Sequence, residues 1–402
     1  MTAVHGRVHP GFEAVRAAFA RGQHDDGGAA QLAVYQDGRL VVDLWAGGDP
    51  IGGRTVGGDS LGIVMSVSKG AVATCAHMLS QRGVLDLDAP VTDYWPEFAT
   101  GGKARIRVSD LLSHRAGLSG FDPFDPEAPT GLEGYLDWAA CVAALEAMSP
   151  LWEPGTAMMY HALTYGYLVG EVIRRATGRT VGAVLSDLVA GPLGLDLWIG
   201  LPESEEHRFV PQFSRQPQPS EEEVLALLTG LGLDPADRLV RATAATFRGV
   251  AAAAEGFNRR EAHVAEVPAA NGIANARSLA RMYAATIGEV DGVRLLDGDS
   301  AARASAPQTD DLPAPPPFDR LPGPESSRFG LGYELSRPGL PMLGEGSFGH
   351  AGAGGRLAYA QPRTGTAVAY VCTDMSWNPA AGPDPRWVPW TRALRDIVSG
   401  AS

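Results

Sequence analysis

Residues 61–81 read "LGIVMSVSKGAVATCAHMLSQ", and Lys69 is the single formal charge in this apolar and small-residue run. Removing an ammonium from water costs several kcal/mol, roughly, even after relaxation. A lysine in such a segment therefore implies compensation or chemical use. From Ile63 the spacing predicts a helix, with Val67, Ala71 and Met78 on one face, Thr74 as its small polar member, and an end near Gly83. Ser66 precedes Lys69 by three residues, which on a helix puts the two side chains on one face with Cβ atoms roughly 5 to 6 Å apart. A serine hydroxyl is a weak nucleophile until a base accepts its proton, and a desolvated lysine with a lowered pKa is such a base. The same short pattern also fits a surface serine beside a lysine whose stem lies along the helix. Ser68, adjacent to Lys69, points to another side, and Cys75 further along reads as packing.

Working outward, "AQLAVYQDGRLVVDLWAGG" places two apolar runs around Asp37-Gly38, a β-hairpin with a favoured turn dipeptide. It is preceded by Phe12, Val15 and Phe19 at helical spacing. Downstream, "VLDLDAPVTDYWPEF" is a loop punctuated by Pro90 and Pro96, the expected domain crossing. From about 91 to 255 the pattern is helical, in "RVSDLLSHRAG", "GYLDWAACVAALEAM", "LTYGYLVGEVIRRATG" and "SEEEVLALLTGLG". Beyond 265, Asn275 is a candidate cap for a helix carrying Leu279, Met282 and Tyr283. A Pro-rich loop leads to three strand candidates, "FGLGYELS", "GRLAYAQP" and "TAVAYVCTD", and to a last helix around Trp387 to Val398. Strand-rich ends around a helical middle imply a discontinuous sheet domain, residues 1–90 and 256–402, interrupted by a helical domain, 91–255, with a variable cleft-covering segment near 201–240.

Composition narrows the class. The chain has 402 residues, 45% hydrophobic and 20% charged, as expected of a soluble globular protein of more than one packed unit. Net charge is −13 and the 33 basic residues form no block, which argues against nucleic acid or an anionic membrane as partner. The 3 cysteines, Cys75, Cys141 and Cys372, have no metal-ligand or disulfide spacing. No metal or other cofactor is expected, and oligomeric state cannot be read. A reducing compartment fits, the N-terminus lacks a signal-peptide run, and no stretch nears about 18 uninterrupted apolar residues. The expectation is a cytoplasmic protein. His5 and His9 fall in an N-terminus expected to be mobile.

Two further segments carry candidate chemistry. In "LWEPGTAMMYHALTYGYLVGEV" Tyr160 emerges just before a helix, and a phenol near a lysine can relay a proton to a leaving group. It equally fits a packed aromatic, as do Tyr165 and Tyr167. In "SFGHAGAGGRLAYAQP" the glycines let backbone approach a ligand, and a strand edge offers N–H groups to a developing oxyanion. His350 can contact an acyl or leaving group there; a Gly-rich hairpin with an incidental histidine is the alternative. No G-x-S-x-G elbow, H-E-x-x-H, P-loop or G-x-G-x-x-G occurs.

Ser66-Val-Ser-Lys69, Tyr160-His-Ala162 and His350-Ala-Gly352, with "LDLDAPVTDYWPEF", "RVSDLLSHRAGL" and "ANGIANARSLARMYA", resemble the serine β-lactamase-like and penicillin-binding superfamily over most of residues 10 to 395. The resemblance is closest to class C β-lactamases and family VIII carboxylesterases. It implies an α+β fold, an antiparallel sheet flanked by helices with an inserted helical domain and the active site in the cleft between them. It implies Ser66 as the acylated nucleophile, Lys69 as its base and Tyr160 completing the relay. The backbone N–H groups of Ser66 and Ala353 would form the oxyanion hole, and His161, His350 and Gly352 are candidate substrate contacts. Where class C enzymes carry Asn two residues after the tyrosine, this chain has Ala162. Where they carry Lys-Thr-Gly, it has His350-Ala351-Gly352, and without that lysine the grip on β-lactam carboxylates falls. The expected activity is hydrolysis of small-molecule esters. Acyl transfer to a biosynthetic acceptor, weak β-lactam or amide hydrolysis, and a ligand-binding pseudoenzyme are the alternatives.

Overall fold

The computed structural model describes residues 2–23, 27–215, 219–321, 327–376 and 382–400. Its centre is the helix Val67–Gln81, which is buried from Val67 to Leu79. A helix apolar all round must be enclosed on every side, and here small residues permit it. A Cβ on Gly70 would lie 2.0 Å from Tyr283 Oη.

Seven strands form one antiparallel sheet among the described residues, in the order β1-β3-β2-β10-β9-β8-β7. They are β1 (Val4–Val8), β2 (Ala30–Gln36), β3 (Arg39–Ala46), β7 (Glu334–Leu335), β8 (Phe348–Gly352), β9 (Arg356–Gln361) and β10 (Thr366–Cys372). Asp37 and Gly38 take positive φ of 48° and 74° in the expected hairpin turn between β2 and β3. The N-terminus departs from expectation, because β1 pairs His5 with Trp45 and Val8 with Val42 rather than remaining mobile.

Side chains alternate across the sheet as the pleat requires. Ala33, Ala358, Ala360, Ala367 and Ala369 face the large core that contains the Val67–Gln81 helix and the helix Ala276–Ile287. Val34, Leu357, Tyr359, Val368 and Tyr370 face a second core, closed by the packed helices Glu13–Gly22 and Val388–Val398 through Phe19, Trp390 and Leu394.

The long middle of the chain is helical, in Trp138–Ala147, Thr164–Thr177, Glu221–Gly230 and Arg238–Gly256. A departure from that pattern matters for the site. β5 (Leu197–Trp198) pairs with β6 (Ile273–Ala274), which also pairs with β4 (Gly62–Ile63). Phe213 bridges to Asp374. Residues 197–213 thus lie against the sheet side, beneath the turn that carries Ser66.

Candidate active site

The turn that leads out of β4 is strained and well anchored. Met65 has φ 49°, the left-handed region that a non-glycine residue enters only where its surroundings enforce it. Ser68 supplies the anchor: its buried Oγ donates to Met65 O at 2.6 Å and accepts from Gly272 N–H at 2.9 Å. Ser66 follows as N-cap of the central helix, yet its side chain makes no cap hydrogen bond, so Oγ is left for other partners.

Those partners converge from three parts of the chain. Lys69 Nζ lies 3.2 Å from Ser66 Oγ and donates to Ala162 O at 2.7 Å and Ala269 O at 2.9 Å. Gly166 makes room for the Ala269 turn of this cradle, since a Cβ there would be 2.5 Å from Ala269 N. Burial holds the Lys69 pKa well below its ordinary value, and the Glu334 carboxylate partly opposes that. Ser66 Oγ and the two carbonyls thus place three oxygens around Nζ. Ala162, which stands where class C enzymes carry asparagine, contributes its main-chain carbonyl.

The Tyr160 ring centre lies 4.8 Å from Lys69 Nζ. Burial raises the phenol pKa, and the neighbouring Ser66 side chain partly opposes that. Behind Tyr160 stand His114, at 4.9 Å between ring centres, and Phe329, stacked at 5.9 Å. His114 has φ 61° and accepts the His161 N–H at Nδ1, which fixes the backbone beside Tyr160.

His161 turns its ring nitrogens to the main chain. It is buried, Nδ1 bonds Met159 O at 2.7 Å and Nε2 accepts the Leu118 N–H at 3.1 Å. With both ring nitrogens on main chain it ties two loops together and has no polar atom left for a ligand. Burial takes its pKa down to about 4, so it is neutral there.

His350 projects from β8 with its ring centre 6.0 Å from that of Tyr160. Its Nδ1 bonds Ala351 O at 2.6 Å, while Nε2 is buried without a protein partner. Burial lowers its pKa to about 4, against the pull of Glu334, whose Oε2 lies 3.6 Å away and accepts the Ala351 N–H. Gly352 brings the end of β8 onto the nucleophile turn, since a Cβ there would sit 2.6 Å from Val64 O. The N–H groups of Ser66 and Ala353 donate to no turn or loop carbonyl among the described residues.

Sequence reasoning missed Glu334 and His114, both packed against the site. Glu334 lies in "FGLGYELS", read only as a strand, where a carboxylate in an apolar run was the available sign. No helix among the described residues is long and apolar enough to cross a membrane.

Known proteins share this fold. The family profile Beta-lactamase matches residues 15–388. The esterase/beta-lactamase LipL of Mycobacterium tuberculosis is 37% identical, over 92% of this chain and 82% of its own. A family VIII carboxylesterase crystal structure superposes with a TM-score of 0.82 at 31% identity, covering 98% of this chain and 100% of that one. EstA from Arthrobacter nitroguajacolicus Rue61a does so with a TM-score of 0.82 at 32% identity, covering 100% of both chains. With a beta-lactamase/transpeptidase-like α+β fold and relatives that are esterases, the chain belongs to the beta-lactamase family and is a serine hydrolase.

Proposed function

We propose that the protein hydrolyses carboxylic esters of small molecules through an acyl-Ser66 intermediate, in the cleft between the sheet domain and the helical domain. The observation that carries this reading is the position of Ser66 Oγ, 3.2 Å from a buried amine whose other hydrogens are taken by Ala162 O and Ala269 O.

In the first step the Ser66 proton passes to the neutral Lys69 Nζ as Oγ adds to the ester carbonyl. The oxyanion forms against the N–H groups of Ser66 and Ala353, at the start of a 15-residue helix whose dipole favours negative charge. Collapse of the intermediate breaks the bond to the leaving alcohol. Tyr160 donates its proton to that oxygen and regains one from the Lys69 ammonium. Deacylation runs the relay in reverse with water as nucleophile, which returns the proton to Ser66.

His350 is neutral at pH 7 by its lowered pKa, so the position offers no fixed cation to a carboxylate. That favours uncharged esters over β-lactams. The test is intact-protein mass spectrometry after brief mixing with p-nitrophenyl butyrate, with peptide mapping of the adduct. A butyryl group on Ser66 with rapid turnover is expected, along with no turnover by a folded Ser66→Ala variant. Turnover that survives Ser66→Ala refutes the assignment.

A further inference from the structure

A buried guanidinium lies outside the relay. Arg356 opens β9 and is fully buried, yet no carboxylate pairs with it among the described residues. Its guanidinium holds neutral acceptors instead. Nε donates to Ile63 O at 3.1 Å, Nη1 to Ala353 O at 3.0 Å, and Nη2 to Gln212 Oε1 at 2.8 Å. Gln212 is anchored in turn by its Nε2 on Ala254 O at 2.6 Å.

Asp374 favours the charge only from beyond ion-pair distance; burying a guanidinium without a close ion pair costs several kcal/mol, roughly, and an apolar side chain would fill the volume without that penalty. What the apolar side chain would not do is join two strands through their carbonyls. Ile63 ends β4 just before the Met65–Ser66 turn. Ala353 follows β8. These are the two segments whose N–H groups face the oxyanion in the mechanism above. The planar fork sets the spacing of the two carbonyls in a way that a single-point donor does not. The turn beside it is opened to admit the group: Gly354 has φ 76°, and a Cβ there would lie 2.3 Å from Arg356 Nη1.

We propose that Arg356 is the positioning residue of the oxyanion hole, holding the Ser66 and Ala353 N–H groups at the separation that the tetrahedral intermediate requires. The proposal rests on the acyl-serine reading of the site. It predicts a defect confined to the transition state, since the ester ground state is bound by other walls of the cleft.

The experiment compares full-length Arg356→Met, Arg356→Lys and Gln212→Leu with the unaltered protein, using p-nitrophenyl butyrate and inhibition by butylboronic acid, a mimic of the tetrahedral intermediate. Arg356→Met is expected to lose about 100-fold in kcat, the lower range for one lost oxyanion donor. Its KM should stay within about 3-fold, and boronate affinity should fall with kcat/KM. Arg356→Lys restores the charge but one carbonyl contact at a time, and is expected to recover kcat partly. Gln212→Leu removes a core hydrogen bond and keeps both carbonyl contacts, so its kcat should stay near that of the unaltered protein. Three results would overturn the proposal: unchanged kcat in folded Arg356→Met, an equal loss in Gln212→Leu, or full kcat and boronate affinity in Arg356→Lys. The last decides the matter if Arg356→Met fails to fold. Failure of Ser66 itself to acylate in the unaltered protein would refute the mechanism instead, which separates the two outcomes.

Discussion

Replacing Gly352 with alanine adds one carbon at the contact between β8 and the nucleophile turn. That carbon would lie 2.6 Å from Val64 O and 3.3 Å from Met65 Cβ. Carbon and oxygen approach comfortably at about 3.3 Å, so the two segments must part by roughly 0.7 Å. Catalytic constellations tolerate displacements of about 0.5 Å. The Ala353 N–H, next in the chain, would then leave hydrogen-bond range of an oxyanion formed at Ser66. Loss of one such donor costs about 100- to 1,000-fold in kcat. The overpacking itself should cost about 1–3 kcal/mol of stability, which leaves a folded protein to assay. Backbone strain plays no part, since Gly352 lies outside the left-handed region. Steady-state hydrolysis of p-nitrophenyl butyrate alongside a thermal melt measures both effects. Gly298→Ala is the control, because a Cβ there meets nothing within 4 Å. A folded Gly352→Ala protein with kcat close to that of the unaltered enzyme would refute the reasoning.

Tyr160→Phe keeps the ring stacked on Phe329 and removes only the hydroxyl at Ser66, so kcat should fall at least about 100-fold with little change in melting temperature. Near-normal kinetics would return Tyr160 to a packing role. Asn275→Ala removes the cap that accepts Ser278 N–H at 2.8 Å, and should cost about 1 kcal/mol in denaturant unfolding without altering kcat. Acid should destabilise the fold through its buried neutral histidines. His77, His161 and His350 have folded pKa values near 4, below the value of about 6.5 expected when unfolded. The unfolded chain therefore binds more protons between those values, so the stability present above pH 6.5 is lost as pH falls toward 4. Each pH unit in that window costs about 1.4 kcal/mol per histidine. A melting temperature that stays flat from pH 6.5 to 4.5 would contradict this.

What could be read from the sequence was what neighbours in the chain decide. Asp37-Gly38 specifies its hairpin turn, Asn275 its helix cap, and Ser66 with Lys69 a shared helical face, because each depends on a few adjacent residues. Even Ser68, set aside from the start, shows why: its hydroxyl serves Met65 and Gly272 rather than a ligand. The elements that escaped are those whose cause is distant. β4, β5 and β6 are two residues each, too short to leave an alternating pattern, and exist because they pair with one another. β1 carries polar His5 and Arg7 because it is an edge strand, so it lacked an apolar signature. Glu334, His114 and Arg356 act on residues far away in sequence. His161, adjacent to Tyr160, was expected to touch substrate, yet helix and turn geometry sends its ring backward onto Met159 and Leu118.

The order of strands has a consequence for how the chain is made. β2 sits between β3 and β10, and Ala30 pairs with Cys372 across nearly the whole sequence. While the ribosome is still producing the helical middle, the β2–β3 hairpin has a bare edge and an apolar face covered only in part by the Glu13–Gly22 helix, because neither β10 nor the Trp390 helix yet exists. Sheets assembled from such distant partners close slowly, and unpaired edges invite association between chains. Yield on overproduction should therefore depend on translation rate and chaperone supply more than on the stability of the finished protein. Slower synthesis at low temperature is expected to raise the soluble fraction.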